Sequence, residues 1–212
     1  MTNRFAAVIW DFDGTLADSL PELLRIYNEL APRYGLRQVE DPDEVRGQSM
    51  SQLLGAEQIS WWTMVRLTRR LLQMQRQIIG QVKLFDGVAK TIHRLSAIGI
   101  RQAVVSSNSR TNLLECLSGH RLTDHFMYIH GTSRLGGKRR AIRRACRKLG
   151  VASSDALYVG DEVRDIDAAR AASLAIASVT WGLNTKEVLH EHQPDWIVNC
   201  PDDIEAICTA TS

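Results

Sequence analysis

Asp11 and Asp13 stand two residues apart with Gly14 behind them, directly after the apolar run Phe5 to Trp10. A run of that length suits one buried strand, and the carboxyl end of such a strand is where open α/β sheets bind ligands. Two crowded carboxylates are costly unless a cation joins them or one keeps a proton. A hard divalent ion such as Mg²⁺ takes oxygen ligands. One acid is then free to act as a nucleophile while the other gives and takes protons. The plainer alternative is an acidic turn, since Asp and Gly are common turn formers. A calcium loop would need a closing glutamate that this stretch lacks. A second acidic site, Gly160-Asp161-Glu162-Val163-Arg164-Asp165, follows the buried run Ala156 to Val159. Asp161 and Asp165 taken alone would cap a helix, but a second acidic strand end in the same sheet points to a shared cation.

These acids need a scaffold, and the chain supplies one rhythmically. From Leu84 onward strands and helices alternate: a helix over Val88–Ala97 ended by Gly99, then a strand over Ile100–Val105 that runs into Ser106-Ser107-Asn108-Ser109. A short strand over Met127–His130 precedes a loop with Gly131, Gly136 and Gly137, and Lys138 opens a helix that stops at Gly150. After Asp165 a helix runs to Ala172. A strand over Leu174–Thr180 and the turn Trp181-Gly182 come next, followed by a helix over Lys186–His190, an edge strand over Trp196–Val198 and a closing helix over Asp202–Thr209. Five or six strands alternating with helices imply an α/β fold with a doubly wound, mostly parallel Rossmann-like sheet.

Between the first strand and Leu84 the pattern is helical throughout. Ser19-Leu20-Pro21-Glu22 fits a capping box, Leu23, Leu24, Tyr27 and Leu30 continue at helical spacing, and further helical pattern covers Val45–Leu54 and Ile59–Ile79. An insert of roughly sixty residues exceeds an ordinary βα connection. It divides the chain into a core over 1–17 and 83–212 and a helical insert over 18–82.

Composition narrows the function classes. A chain of 212 residues with 44% hydrophobic residues can bury a large core, and a formal charge of +2 argues neither for a nucleic-acid protein nor for a membrane-surface one. The helix after Lys138 is rich in arginine, yet Ile142, Ala145, Cys146 and Leu149 form a buried stripe, which leaves the charges on a solvated face. Cys116, Cys146, Cys200 and Cys208 show no metal spacing and read as reduced core residues of a cytoplasmic protein. No stretch approaches the ~20 apolar residues of a membrane span. The N-terminal apolar run belongs to the first strand and reads as no separate signal peptide.

The hexapeptide Asp11-Phe12-Asp13-Gly14-Thr15-Leu16 resembles the first motif of the haloacid dehalogenase superfamily in its phosphatase form. The strand end at Ser106–Ser109, the lysine at 138 and the Gly160-Asp161…Asp165 stretch resemble its remaining motifs, in order along almost the whole chain. The resemblance implies a phosphoglycolate phosphatase-like hydrolase with a small α-helical cap of the C1 type. It implies Asp11 as nucleophile, Asp13 as acid and base, and Mg²⁺ held by Asp11, the Asp13 carbonyl and Asp161, with Asp165 orienting Asp161 or a metal-bound water. Ser107 and Lys138 would hold the phosphoryl oxygens, with Phe12 and the Asn108 backbone N–H also at the phosphate; Arg134 is the alternative to Lys138. The implied partner is a small phosphorylated metabolite.

Asp13 argues against a dehalogenase, and the absence of lysine between Asp18 and Val82 argues against a phosphonate-cleaving relative. A phosphosugar mutase would keep every residue named, and a non-catalytic phosphate- or nucleic-acid-binding protein is the reading from a different class. Within the insert, Gln58–Val82 holds Arg66, Arg69, Arg70 and Arg76 and no acid. Arg46, Arg66 and Trp61 are candidates to meet substrate, although packing between insert helices suits Trp61 and Trp62 better.

Overall fold

In the computed structural model the first apolar run forms β1 (Ala7–Trp10), and every residue of it is buried. The structure describes residues 3–41, 44–46, 60–131 and 137–210. β1 lies between β4 (Arg101–Ser106) and β6 (Ala156–Gly160) and pairs with both in parallel. With β5 (Tyr128–Gly131), β7 (Ala175–Val179) and β8 (Trp196–Val198) they make a six-stranded sheet in the order β5-β4-β1-β6-β7-β8. Neighbouring strands are parallel throughout. This is the expected doubly wound α/β sheet. A sheet covered on both faces explains why β1 reads as a continuous apolar run and not as an alternating one.

Side chains leave each strand alternately to the two faces. Val8 and Trp10 join the layer of α3 (Val88–Ala97), α4 (Arg110–Gly119) and α8 (Asp202–Thr209). Ala7 and Ile9 join that of α5 (Lys138–Leu149), α6 (Val163–Ala172) and α7 (Lys186–Glu191). The indole of Trp10 donates to Gln102 Oε1 at 3.1 Å, and the Gln102 amide donates to the Ile92 carbonyl and Ser96 Oγ. A buried glutamine is thereby satisfied, and it ties β1, β4 and α3 together. On α5 the stripe Ala141, Ile142, Ala145, Cys146 and Leu149 is buried, and the arginines face outward as the periodicity requires.

The chain leaves β1, builds β4 and β5 on one side, then returns to place β6, β7 and β8 on the other. Such a reversal opens a crevice at the carboxyl ends of the strands beside β1. The helical insert is bracketed by a two-stranded antiparallel ribbon, β2 (Ala17–Asp18) with β3 (Lys83–Leu84). Its helices α1 (Leu20–Leu30) and α2 (Trp61–Ile78) share a separate apolar cluster with Leu24, Ile26, Tyr27, Leu30, Leu67 and Leu71.

Some local expectations differ from what forms. Ser19 precedes α1, but its hydroxyl does not cap it, and Glu22 pairs with Arg25. Trp62 is 73% exposed and packs between no helices, whereas the Trp61 side chain lies outside the described residues, as does most of the helical pattern expected over Val45–Leu54. Cys116, Cys146 and Cys208 are buried free thiols, but Cys200 is exposed because it sits in the turn before α8. Among the described residues no helix is long and apolar enough to cross a membrane.

Candidate active site

Three strand ends and one helix start converge at the crevice. Asp11 follows β1, its N–H bonded to the Val159 carbonyl at 2.8 Å, and its carboxylate is buried. Asp161 follows β6, and Lys138 opens α5. Ligand oxygens of Asp11, Asp161 and Asp165 all lie within 4.8 Å of one another, and all three residues are buried. Lys138 Nζ donates to Asp11 Oδ2 at 2.7 Å and also to Asp165 Oδ1. Asp165 Oδ2 accepts the Glu162 N–H at 3.1 Å, so this carboxylate closes the capping box of α6 and anchors the lysine. The role the resemblance implies for it, orienting Asp161 or a metal-bound water, is a separate one.

Asp161 is held from three sides. Thr15 Oγ1 donates to its Oδ1 at 2.8 Å, the Leu183 N–H donates to its Oδ2 at 2.8 Å, and its carbonyl accepts the Asn184 N–H. Gly14 passes so close, at φ +75°, that a Cβ there would stand 2.1 Å from Asp161 Oδ2. Gly182 is also enclosed, and partly by backbone: a Cβ would meet the Gly14 carbonyl oxygen at 2.4 Å and Asp161 Cβ at 2.3 Å. Trp181 pins the same turn by donating its indole N–H to the Thr15 carbonyl at 3.1 Å. Gly182→Ala is therefore expected to cost ~1–3 kcal/mol of stability through overpacking against backbone. Displacing Asp161 by about 1 Å should also lower turnover about 100-fold, which thermal melting and initial rates together would register.

Charge is unevenly balanced here. Lys138 pairs with Asp11 and Asp165, while Arg164 and Glu162 pair with each other. Burial, then the neighbouring Asp165 charge, push Asp11 up to about 7 against the pull of Lys138. Burial, Asp165 and Asp11 together hold Asp161 well above the carboxylate range. Burial alone would lower the Lys138 ammonium, but Asp11 and Asp165 outweigh it and keep it charged. Asp13 is raised by burial, with the nearby Ser19 hydroxyl and the Asn108 amide pulling it back. Carboxylates raised by burial, and for Asp11 and Asp161 also by neighbouring acids, offer the hard oxygen donors that a divalent cation relieves.

The other expected residues are placed as follows. The Phe12 side chain is fully buried in the core, which leaves only its backbone for a ligand. Ser107 follows β4, is half-buried, and its side chain bonds to no described residue. The Asn108 N–H is taken by Ser106 Oγ at 3.0 Å, and its side chain donates to Asp13 Oδ2 at 3.0 Å, so the expected backbone help from Asn108 is spent inside the protein. Arg134 lies outside the described residues. Arg46 stands near enough to Asp18 to favour its charge. Arg66 lines a cavity of about 430 Å³ in the insert with Leu30, Arg33, Tyr34, Thr63 and Arg70.

Thr15, Leu183, Asn184 and Ser106 have structural roles that no sequence signal specified. Thr15 stood inside the first motif, and only its hydrogen bond to a residue 146 positions away reveals its use.

A family model described as haloacid dehalogenase-like hydrolase matches residues 8–179. The chain is 34% identical over 200 residues to the phosphoglycolate phosphatase of Synechococcus elongatus, covering 93% of this chain and 94% of that one. It is 32% identical over 198 residues to the phosphoglycolate phosphatase of Xylella fastidiosa, covering 85% and 82%. The solved structure of a hydrolase described as a haloacid dehalogenase-like family protein from Streptococcus pneumoniae superposes with a TM-score of 0.81 at 20% identity, covering 96% and 98%, and so shares the fold.

Proposed function

Because this chain belongs to the haloacid dehalogenase-like hydrolase family and is a phosphatase by its likeness to relatives named phosphoglycolate phosphatase, we propose that it hydrolyses 2-phosphoglycolate or a close analogue through an aspartyl-phosphate. The observation that carries this reading is the meeting of Asp11 and Asp161, from separate strand ends, with Lys138 bonded to Asp11.

Asp11 supplies the attacking carboxylate oxygen. Its new bond to phosphorus forms as the ester P–O bond breaks, and the electron pair leaves with the substrate alkoxide. Asp13 gives that oxygen a proton. Water then attacks the aspartyl-phosphate, Asp13 takes the proton back, and breaking the P–O bond to Asp11 frees phosphate and restores the carboxylate. Lys138 sits where it offsets negative charge on Asp11 and on the phosphoryl oxygens, and Asp165 keeps it there. The Ser107 hydroxyl, unspent on any described residue, supplies a donor to the same oxygens. Mg²⁺ would suit the crowded carboxylate oxygens of Asp11 and Asp161, with the Asp13 carbonyl as the further ligand the family resemblance implies; when bound it would lend positive charge that draws phosphoryl charge away from the reacting centre.

The insert over 18–82 serves in this reading as a cap above the crevice. Leu183 supports that role, since its N–H bonds Asp161 while its side chain packs against the insert's apolar cluster. The buried free thiols suit a reducing, cytoplasmic setting.

Phosphate release from 2-phosphoglycolate, compared with a panel of sugar phosphates and nucleotides with and without EDTA, tests the proposal. Preference for phosphoglycolate and loss with EDTA are expected; turnover of no phosphate ester would overturn it.

A linked result concerns pH. Asp11 binds its proton more tightly folded, at about 7, than unfolded, near 3.8. Stability of the metal-free protein should therefore fall as pH rises from about 4 to about 7, because the folded state must then surrender a proton the unfolded chain has already lost. Mg²⁺ competes with those protons, so it should stabilise more at pH 8 than at pH 5. At about 100-fold over its dissociation constant it contributes ~2.7 kcal/mol, a rise of roughly 5–10 °C in melting temperature. Equal Mg²⁺ shifts at both pH values would contradict the assignment.

A further inference from the structure

Asp13 has the Ser19 hydroxyl beside it, and its two carboxylate oxygens are treated differently. Its Oδ2 accepts the 3.0 Å bond from Asn108 Nδ2, whereas its Oδ1 is buried without a hydrogen-bond partner among the described residues. The Asn108 amide cannot be reversed. Its Oδ1 accepts the Ser109 backbone N–H and Asn112 Nδ2, each at 2.8 Å. A backbone N–H only donates, so the amide oxygen must face Ser109 and the amino group must face Asp13. Asn108 is 8% exposed and Asn112 4% exposed. Asn112 lies on the buried face of α4 beside Leu113, Cys116 and Leu117, where an apolar residue would pack at lower desolvation cost. Two buried carboxamides in series, ending on one oxygen of one acid, have a use beyond packing.

We propose that Asn112 and Asn108 form a two-amide brace that positions Asp13, committing its Oδ2 to Asn108 and presenting Oδ1 to the oxygen that leaves the phosphate. This rests on the reading of Asp13 as the proton donor. Asn112 is a positioning residue, for it meets Asp13 only through Asn108.

A brace for a proton donor matters in proportion to how badly the leaving oxygen needs a proton. An alkoxide needs one, and a 4-nitrophenolate departs without it. The ratio kcat/KM covers the steps up to cleavage of the ester P–O bond and so isolates the donor role from later attack by water. Asn112→Ala is expected to lower kcat/KM by ~10–100-fold for an alkyl phosphate that the parent enzyme turns over, 2-phosphoglycolate first, since a positioned acid contributes ~10²–10⁴-fold in all. For 4-nitrophenyl phosphate the same variant should lose no more than about 3-fold, because no proton is required. Asn108→Ala removes the contact itself and should show the same asymmetry, and Asn112→Ser, which keeps a donor, should recover part of it. Because Asn112 is buried, each variant's melting is recorded; Asn108→Ala and Asn112→Ser carry the test if Asn112→Ala does not fold. Equal losses on both esters, or no loss on either, would overturn the brace. A parent protein that hydrolyses neither ester would instead sink the phosphatase reading, so the two failures are distinct.

Discussion

Asp11→Asn is expected to abolish turnover, by ~10⁴-fold or more, because the amide has no anionic oxygen with which to attack phosphorus. The same change should leave the folded protein intact or strengthen it. Asp11 stands buried within 4.8 Å of two further acids and is held up to about 7 by burial first and by Asp165 after it, so at pH 8 its charge is a burden on the metal-free fold. The isosteric amide carries none, and Lys138 keeps its bond to Asp165. A metal-free variant that melts at or above the parent at pH 8 while releasing no phosphate over many turnovers would separate chemistry from folding. Sustained turnover in a preparation free of parent enzyme would remove Asp11 from its role.

The second large effect belongs to Lys138→Met. The ammonium is the cation that bridges Asp11 and Asp165, both nearly inaccessible to solvent. Its removal leaves buried carboxylates without their ion-pair partner, a loss of about 3–5 kcal/mol for a buried pair. For a chain of this size that is a fall of roughly 10 °C in the metal-free melting temperature. Turnover should drop ~10²–10³-fold as well, since a donor aimed at developing phosphoryl charge is gone. The double variant Lys138→Met/Asp165→Asn relieves one stranded charge, so it should regain part of the stability and none of the activity. If the single variant melts like the parent, Lys138 is not the counter-charge described above.

The positions of the acids were legible because they are local facts of the chain. An apolar run of strand length ending in Asp-x-Asp-Gly must deliver those acids to a sheet edge, and the run before Asp161 does the same. The bounds of α5, opening at Lys138 and closing at Gly150 in the left-handed conformation, follow equally from neighbours in sequence. The capping box at Ser19 was misread for a related reason: its residue types fit, but the Ser19 hydroxyl stands close to Asp13, and Glu22 found Arg25 first.

Sequence by itself therefore determined the sheet, the strand ends and the identity of the crowded acids, since strand period, turn chemistry and carboxylate repulsion act over a few residues. Tertiary structure alone decided which partner each acid keeps: Thr15 and Leu183 for Asp161, Asn108 for Asp13, Lys138 for both Asp11 and Asp165. Those choices turn on fractions of an ångström between residues as many as 146 positions apart, where Gly14 and Gly182 leave just enough room. Hydrogen bonds and ion pairs are short-ranged, so their pairing exists only once the backbone has brought the ends of β1, β4 and β6 together.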